Sequence, residues 1–255
     1  MLSTRLKRTS SALPLLGIGL VALVLQALPA SATTTTTTTS TTIPGSTTTT
    51  TVPSPYPYMQ LGAKNASVLA FQLKLASSGY WIGNANGTFT DLTQQAVYAL
   101  EKVNGLPRDG VVTRRVGLAL NAGLLPRPVT SRGLAIEVSL TKQILLIVRD
   151  GKIVKIINAS TGGGYSYATG TGGTSIAITP PGVYSTYYEV NKWDVGPLGG
   201  LYRPKYFNRG IAVHGSYSVP PYPASHGCVR VSLAAMDWIW LNNMMPRGTK
   251  VVVYK

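Results

Sequence analysis

The stretch SHGCVR at residues 225–230 holds the single cysteine of this 255-residue chain and one of its 2 histidines. The other histidine, His214, stands in the run IAVHG, 14 residues before Cys228. A cysteine attacks a carbonyl carbon as its thiolate, and a free thiol with a pKa of about 8.5 needs a base or a cation nearby. The gathering of both histidines near Cys228 therefore indicates nucleophilic catalysis, with either His214 or His226 as the base.

The residues around Cys228 supply further groups that such chemistry uses. Gly227 permits close approach of the backbone, and the amides of His226, Gly227 and Cys228 are candidates for stabilising an oxyanion. Arg230 is a candidate for binding a substrate carboxylate or for steadying the loop, with a surface ion pair as the alternative.

Other interpretations of the same residues stay open. The single cysteine of an exported protein has no partner for an internal disulfide, so it is either buried and inert or a free reactive thiol. His214, His226 and Cys228 also provide three possible zinc ligands, although their spacing is unusual for zinc and no acidic residue stands beside them. We expect a site without metal or cofactor.

Two other kinds of site are weakly supported. The Gly-rich run STGGGYSYATGTGGTS at 160–175 lacks the Gly-Lys-Ser/Thr ending of a phosphate-binding loop, and it predicts a flexible loop. Hydrolysis by paired carboxylates finds little support, because the acidic residues of the C-terminal half are scattered. Those residues are Glu137, Asp150, Glu189, Asp194 and Asp237.

The N-terminus carries the signals of export. Residues 1–32 begin with basic residues, continue with an apolar run over 13–28 and end in Ala-Ser-Ala. This is the layout of a secretory signal peptide cut after residue 32, and an uncut membrane anchor is the alternative. We expect the bulk of the chain to be extracytoplasmic, with membrane attachment only if the signal segment stays uncleaved.

The net charge limits the kinds of binding partner that we expect for this chain. The chain carries a net charge of +15, and removing the 3 bases of residues 1–32, which hold no acid, leaves +12. An exported protein this basic is attracted to polyanions such as an anionic cell wall. Nucleic acid is not expected as a partner, because the bases are scattered and no nucleic-acid-binding motif accompanies them.

The chain divides into segments of different pattern. Residues 33–58 are nearly all Thr, Ser and Pro and predict a disordered linker, because they offer little apolar surface. Residues 60–125 predict a small domain of three short amphipathic helices that end at glycines. Asn65, Asp91 and Thr113 are their expected N-caps.

Residues 133–255 predict a mainly-β domain with one notable helix at about 232–243. Asp150-Gly151 between two apolar runs predicts a hairpin. Further strand-like runs occur at 182–190, 210–213 and 250–254. The expected fold class is α+β, with a sandwich-like β domain preceded by a three-helix module.

Both parts resemble known families. IAVHG and SHGCVR, with STG at 160–162 and TPPG at 179–182, resemble the L,D-transpeptidase (YkuD-like) catalytic domain over roughly residues 133–255. The helical module resembles the small peptidoglycan-binding domain, although Thr90 and the pair Leu100-Glu101 depart from its usual residues. The matching positions are Gln72, Gly79, Tyr80, Gly87, Thr93, Ala96, Val97, Gly105, Leu106, Asp109 and Gly110.

The resemblance implies an exported L,D-transpeptidase that forms 3→3 peptidoglycan cross-links, with a part in cell wall biogenesis, wall organisation and cell shape. Cys228 would attack the third residue of a tetrapeptide stem, expel D-alanine and pass the acyl group from a thioester to an amine of a neighbouring stem. His214 would be the base, oriented by the carbonyl of Gly215, and His226 would line the oxyanion region with Gly227.

The resemblance also implies that Ser225 and Arg230 contact the substrate. The implied partners are peptidoglycan stem peptides and glycan, in the cell wall or periplasmic space of a bacterium. The alternatives are a carboxypeptidase-type cysteine peptidase acting on the same stems, and a non-catalytic wall-binding protein.

Overall fold

The computed structural model describes residues 54–170 and 172–255. The predicted signal peptide at 1–32 and all but the last residues of the predicted linker at 33–58 lie outside these ranges. Within the part that is described, no helix is both long and apolar enough to cross a membrane.

The last residues of the predicted linker, 54–58, lie within the described part of the chain, and Tyr56 among them packs against the helical module. The ring of Tyr56 meets the ring of Phe71 edge-on at 5.0 Å between centroids. Pro55 and Tyr56 also lie against Gly117. A tyrosine ring supplies the apolar surface that the preceding threonines lack, and this surface is what orders the segment.

Three helices form the N-terminal module, namely α1 (Ala66–Ser77), α2 (Asp91–Asn104) and α3 (Arg114–Ala122). Asn65 and Thr113 are the N-caps of α1 and α3, and each side-chain oxygen accepts the amide three residues on. Such a bond satisfies one of the free amides that every helix start leaves. These two predictions are confirmed.

The start of α2 differs from its prediction. Thr90 occupies the cap position without a side-chain capping bond, and Asp91 is the first helical residue. The carboxylate of Asp91 therefore sits in the first turn, where the helix dipole favours negative charge. Gly105 and Gly123 end α2 and α3 with φ of 65° and 66°, as their sequence positions predict.

The remainder of the described chain forms strands and a fourth helix. The strands are β1 (Leu134–Ser139), β2 (Ile144–Arg149), β3 (Lys152–Asn158), β4 (Ser166–Ala168), β5 (Thr174–Ile176), β6 (Gly182–Ser185), β7 (Tyr188–Glu189), β8 (Trp193–Gly196), β9 (Gly199–Asn208), β10 (Ile211–Ser216), β11 (Val229–Ser232) and β12 (Lys250–Tyr254). The helix α4 spans Leu233–Leu241 and is capped by Ser232, whose hydroxyl accepts the amide of Ala235.

Two larger sheets carry the β domain. One runs in the order β3-β2-β1-β12-β6, and the other runs β11-β10-β9-β7 with β8 paired to β9. Apolar side chains of both sheets and of α4 share one buried core. The α+β class and the mainly-β, sandwich-like catalytic part are confirmed.

The hairpin between β2 and β3 forms where the sequence predicts it. Asp150 and Gly151 both have positive φ, at 49° and 73°, which is the geometry of a tight two-residue hairpin turn. Arg149 and Lys152 face each other across the turn.

Strand β2 is buried on both faces. Ile144, Leu146 and Val148 share a core with the three helices. Leu145 and Ile147, which alternate with them, belong to the core between the two sheets. The helical module therefore packs on one face of the sheet that contains β2, and the second sheet of the β domain packs on the other face.

Other parts of the β domain were not predicted. The Gly-rich run at 160–175, expected to be a flexible loop, contains the hairpin partners β4 and β5. The run at 182–190 is divided between β6 and β7, which belong to different sheets. The hairpin of β8 and β9 was missed, because its Gly and Pro residues mask the two-residue alternation of a strand.

Candidate active site

His214 lies in the middle of β10 and is only 4% exposed. Its Nδ1 lies 2.8 Å from the carbonyl oxygen of Gly215. An Nδ1–H that donates to this carbonyl leaves Nε2 as the proton-accepting atom. Burial lowers the pKa of the ring to about 4, although the bond to Gly215 opposes the shift and Arg230 adds to it. The imidazole is therefore neutral at neutral pH, as a general base must be.

Strand pairing explains how Cys228 comes near His214. Strands β10 and β11 run parallel, and His214 lies opposite Arg230 in the register. Cys228 directly precedes Val229, the β11 residue that pairs with Val213, the neighbour of His214. Parallel pairing thus returns the chain to the strand that carries His214.

The turn before Cys228 is held by Ser225, which is 1% exposed. The Ser225 hydroxyl donates to the carbonyl of Cys228 at 2.6 Å and accepts the amide of Gly227 at 3.0 Å. Both bonds fix the backbone of the turn at Cys228, so Ser225 acts in the structure as a positioning residue. The amide of Gly227 is engaged by the Ser225 hydroxyl, which leaves the amides of His226 and Cys228 as the candidates for oxyanion donors.

The backbone of this turn requires glycine at 227. Gly227 has a φ of 145°, and a Cβ there would lie 2.8 Å from the carbonyl oxygen of Ile178. The hydroxyl of Thr179 donates to the Gly227 carbonyl at 2.6 Å and accepts the amide of Gly162 at 2.9 Å. The STG and TPPG motifs thus meet at one threonine, which fastens the turn from behind.

Cys228 is half-buried and lines a cavity of about 260 Å³ together with His214, Ser225 and Arg230. Burial raises the pKa of the thiol, although a bond from the Ala212 backbone and the charge of Arg230 oppose the shift. The thiol donates to the carbonyl of Gly210 at 3.7 Å and shares the cavity with the neutral imidazole of His214. A neutral base on the same cavity is the arrangement that proton transfer from sulfur during attack requires.

Arg230 presents its guanidinium to the same cavity. Among the residues that the structure describes, no carboxylate lies within ion-pair distance of it, and the two ion pairs join Arg203 to Asp237 and Lys205 to Glu189.

A second cavity of about 540 Å³ reaches Cys228 from the side of His226 and Gly227. The ring of His226 packs edge-on against Tyr165 and Tyr167, at 5.6 and 4.6 Å between centroids. His226 therefore forms part of a wall between the thiol and the β4–β5 hairpin.

Two residues of the site were missed in the sequence. Asp194 and Tyr206 line the 260 Å³ cavity, and the Tyr206 hydroxyl donates to Asp194 at 2.6 Å. Asp194 was set aside as one of several scattered acids, because nothing local to the sequence places the β8–β9 hairpin over Cys228. Asp194, which carries a carboxylate, and Arg230, which carries a guanidinium, thus line the same cavity.

A metal centre finds no support in the described ranges. Within residues 54–170 and 172–255, no group of three or more His, Cys, Asp or Glu side chains is arranged to hold a metal ion.

The fold and the site together define a class: a two-sheet β domain that places a cysteine and a buried histidine on one cavity, packed on a three-helix module. Comparisons with known proteins agree with both parts. Residues 134–253 match the L,D-transpeptidase catalytic domain, and residues 64–120 match a peptidoglycan binding domain.

A solved structure carries the assignment further. The chain is 48% identical to the crystal structure of an L,D-transpeptidase (residues 123–326) from Xylanimonas cellulosilytica, with a TM-score of 0.76, over 80% of this chain and 100% of that one. This chain therefore belongs to the L,D-transpeptidase family.

A more distant L,D-transpeptidase structure, from Stackebrandtia nassauensis, is 21% identical with a TM-score of 0.44, over 77% of this chain and 95% of that one. It adds nothing to the assignment. Among curated proteins, none matches this chain.

Proposed function

We propose that this protein is an exported L,D-transpeptidase that forms 3→3 cross-links between peptidoglycan stems through a thioester on Cys228. The observation that carries the proposal is the position of Cys228 between two cavities, one of which it shares with the neutral, buried His214.

In the first half-reaction, the thiol proton passes to Nε2 of His214 while Sγ of Cys228 bonds to the carbonyl carbon of the stem's third residue. The carbonyl oxygen becomes an oxyanion near the Cys228 amide. Collapse of this intermediate breaks the bond to the terminal D-alanine, whose nitrogen takes the proton from His214. A thioester remains on Cys228.

In the second half-reaction, the side-chain amine of a neighbouring stem attacks the thioester. His214 accepts a proton from the attacking nitrogen, the carbon–sulfur bond breaks, and the proton returns to the sulfur. Two cavities that meet at Cys228 allow donor and acceptor stems to approach the sulfur from different sides. A peptidase that uses water needs only one of them.

The charges of the 260 Å³ cavity suit a stem with a diamino acid as its third residue. Asp194 offers a carboxylate for an ammonium group, and Arg230 offers a guanidinium for a carboxylate. Stem peptides carry both groups close together. This pairing supports a zwitterionic peptide as the substrate class.

Export and wall association form part of the proposal. They rest on the signal-like residues 1–32, the charge of +12 that remains after residue 32 and the Thr-rich segment that follows. N-terminal sequencing of the protein recovered from a bacterial envelope tests the cleavage, and a start at residue 33 is the expected result.

The test of the chemistry is whole-protein mass spectrometry after exposure to a carbapenem, followed by product analysis on a purified tetrapeptide stem. We expect a single covalent adduct on Cys228, release of D-alanine and a cross-linked dimer when an amine acceptor is present. Cys228→Ala is expected to lose all three while keeping the circular dichroism spectrum of the parent.

The outcomes separate the candidate functions. Tripeptide without dimer, even with excess acceptor, would identify a carboxypeptidase. An intact thiol that no acylating agent modifies would identify a non-catalytic wall-binding protein. Cross-linking that survives in Cys228→Ala would contradict the mechanism.

A further inference from the structure

The segment that joins His214 to Cys228 is held from outside the β domain. We call residues 217–224 the connecting loop, since they lead from the end of β10 to the turn at Ser225. The side-chain nitrogen Nε2 of Gln95 donates to the backbone carbonyl of Val219 at 3.2 Å. The guanidinium of Arg108 donates to the carbonyl of Pro221 at 3.2 Å. Both side chains belong to the helical module.

A buried cation of α2 makes a third connection. Lys102 is 2% exposed, and its ammonium donates to the carbonyls of Gln143 at 2.9 Å and Ala159 at 3.1 Å, and to the side-chain oxygen of Asn158. The amide of Asn158 in turn donates to Val219 of the connecting loop at 3.2 Å. One ammonium therefore binds three acceptors in the β domain.

The contacts continue from these acceptors to the nucleophile. The Gln143 side chain donates to the hydroxyl of Thr161 at 2.7 Å and accepts the Thr161 amide at 2.8 Å. The carbonyl of Thr161 accepts the amides of Ala224 and Ser225, each at 2.9 Å. Ser225 then fixes the backbone of Cys228 through its hydroxyl. Each step is a direct hydrogen bond.

Stability alone does not explain a cation at this position. Burial lowers the pKa of Lys102 to about 7, with the charge of Arg108 acting in the same direction and that of Glu101 opposing it. Well-packed apolar residues in place of a buried charge often preserve or raise stability. What the ammonium supplies, and an apolar side chain does not, is directed bonding to three oxygens at once.

We propose that the helical module is a working part of the catalytic centre, in which Lys102, assisted by Gln95 and Arg108, positions the connecting loop and the turn that carries Cys228. The proposal rests on the function proposed above, because it takes His214 and Cys228 as the reacting pair. Lys102 acts through other residues and touches no substrate.

The test uses the full chain and the variants Lys102→Met, Gln95→Ala and Arg108→Ala. The control is Lys74→Met, which makes the same substitution on the exposed surface of α1. The measurements are the first-order rate constant of carbapenem acylation, the dissociation constant of the preceding noncovalent complex, and hydrogen exchange of residues 217–228. Small displacements of reacting groups cost up to about 100-fold in rate.

In Lys102→Met we expect the acylation rate constant to fall at least about tenfold, because a displacement of the reacting groups by less than about 1 Å already slows the reaction. The noncovalent dissociation constant is expected to stay unchanged. Smaller falls are expected in Gln95→Ala and Arg108→Ala, together with faster exchange confined to residues 217–228. Lys74→Met is expected to match the parent. A purely structural loss would lower the melting temperature without this division between rate and binding.

Unchanged acylation rates and unchanged local exchange in the three variants would overturn the proposal. If Lys102→Met does not fold, the half-buried Gln95 and Arg108 positions decide the question. A parent protein that is not acylated at all would refute the proposed function instead. Comparison of hydrogen exchange at residues 217–228 between the parent and the variants would then test the positioning contacts separately.

Discussion

At the scale of single residues, the site pairs two groups that are both neutral near pH 7. Burial lowers the pKa of His214 to about 4 and raises the pKa of the Cys228 thiol. A preformed thiolate–imidazolium pair would need both shifts in the opposite directions. The two pKa shifts therefore favour proton transfer that is concerted with attack over a standing ion pair.

Replacing His214 by Gln tests this assignment of the base. Gln keeps a polar side chain of similar length but has no atom that takes the thiol proton, so acylation of Cys228 is expected to slow by about 100- to 10,000-fold. Single-turnover mass spectrometry measures the rate. His226→Gln is the matched control, and an equal loss there with little loss at 214 would exchange the roles of the two histidines.

The pH dependence of stability is a second prediction for His214. The ring has a pKa of about 4 when folded, against an ordinary value of 6.5 for histidine, so the unfolded chain binds the additional proton between these pH values. The free energy of unfolding is therefore expected to fall by roughly 3 kcal/mol as the pH drops from 6.5 to 4, and no further below that range.

Urea unfolding of the parent and of His214→Gln at pH 7 and pH 4 measures this difference. The parent should lose more stability than the variant over this interval, because the variant has no ring to protonate. Equal losses in the two proteins would show that His214 titrates normally in the folded state.

At the scale of elements, α2 contains a buried carboxyl group with a structural task. Both oxygens of Glu101 lie 3.1 Å from the amide of Gly110, and burial raises the pKa of the carboxyl to about 8. Gly110 begins the turn that leads towards α3 with a φ of 71°. The departure of Leu100-Glu101 from the usual family residues therefore lies at an internal contact that positions this turn.

Glu101→Gln is expected to stabilise the protein at alkaline pH. A folded pKa above the unfolded value means that the carboxyl costs stability as the pH rises from 4.5 to 8, whereas an amide accepts the same bond without charge. We expect a gain of roughly 4 to 5 kcal/mol at pH 8.5 and almost none at pH 4.5, since each pH unit between the two pKa values corresponds to about 1.4 kcal/mol. Thermal melts at the two pH values measure it, and a variant less stable at both would contradict the prediction.

Local elements could be predicted from the sequence, and long-range contacts could not. The caps at Asn65 and Thr113 and the turn at Asp150 depend on residues within four positions, so their signals are contained in short stretches. The nucleophile stood out because cysteine and histidine are scarce. Asp194 and Lys102 gave no such signal. Asp194 reaches the cavity through the β8–β9 hairpin, which was not predicted, and Lys102 depends on chain segments 41 and 57 residues away.

At the scale of the whole molecule, the sheet that contains β2 and β3 belongs to two cores at once. Ile156 of β3 shows the connection, because its amide donates to Gly79 at 2.9 Å and its carbonyl accepts the amide of Trp81 at 2.9 Å. Its side chain is fully buried in the core that includes the helices. The described helices and strands should therefore unfold together.

Ile156→Ala tests this cooperativity. Truncating a fully buried isoleucine costs about 2 to 5 kcal/mol, and we expect the loss to lower one shared calorimetric transition. Val183→Ala, at a side chain that is 68% exposed, is the control and should change little. Two separate transitions, with only one of them moved, would show that the module and the β domain unfold independently.

The shared sheet also determines how this chain tolerates shortening. A fragment that starts at residue 133 would keep every candidate catalytic residue, yet it would bare the face of β2 that carries Ile144, Leu146 and Val148. An uncovered row of branched aliphatic side chains beside a strand is a surface on which sheets of different molecules stack. Such a fragment is expected to precipitate with an intact active-site sequence. The helices that match a peptidoglycan binding domain are therefore also the cover that keeps the β domain from aggregating.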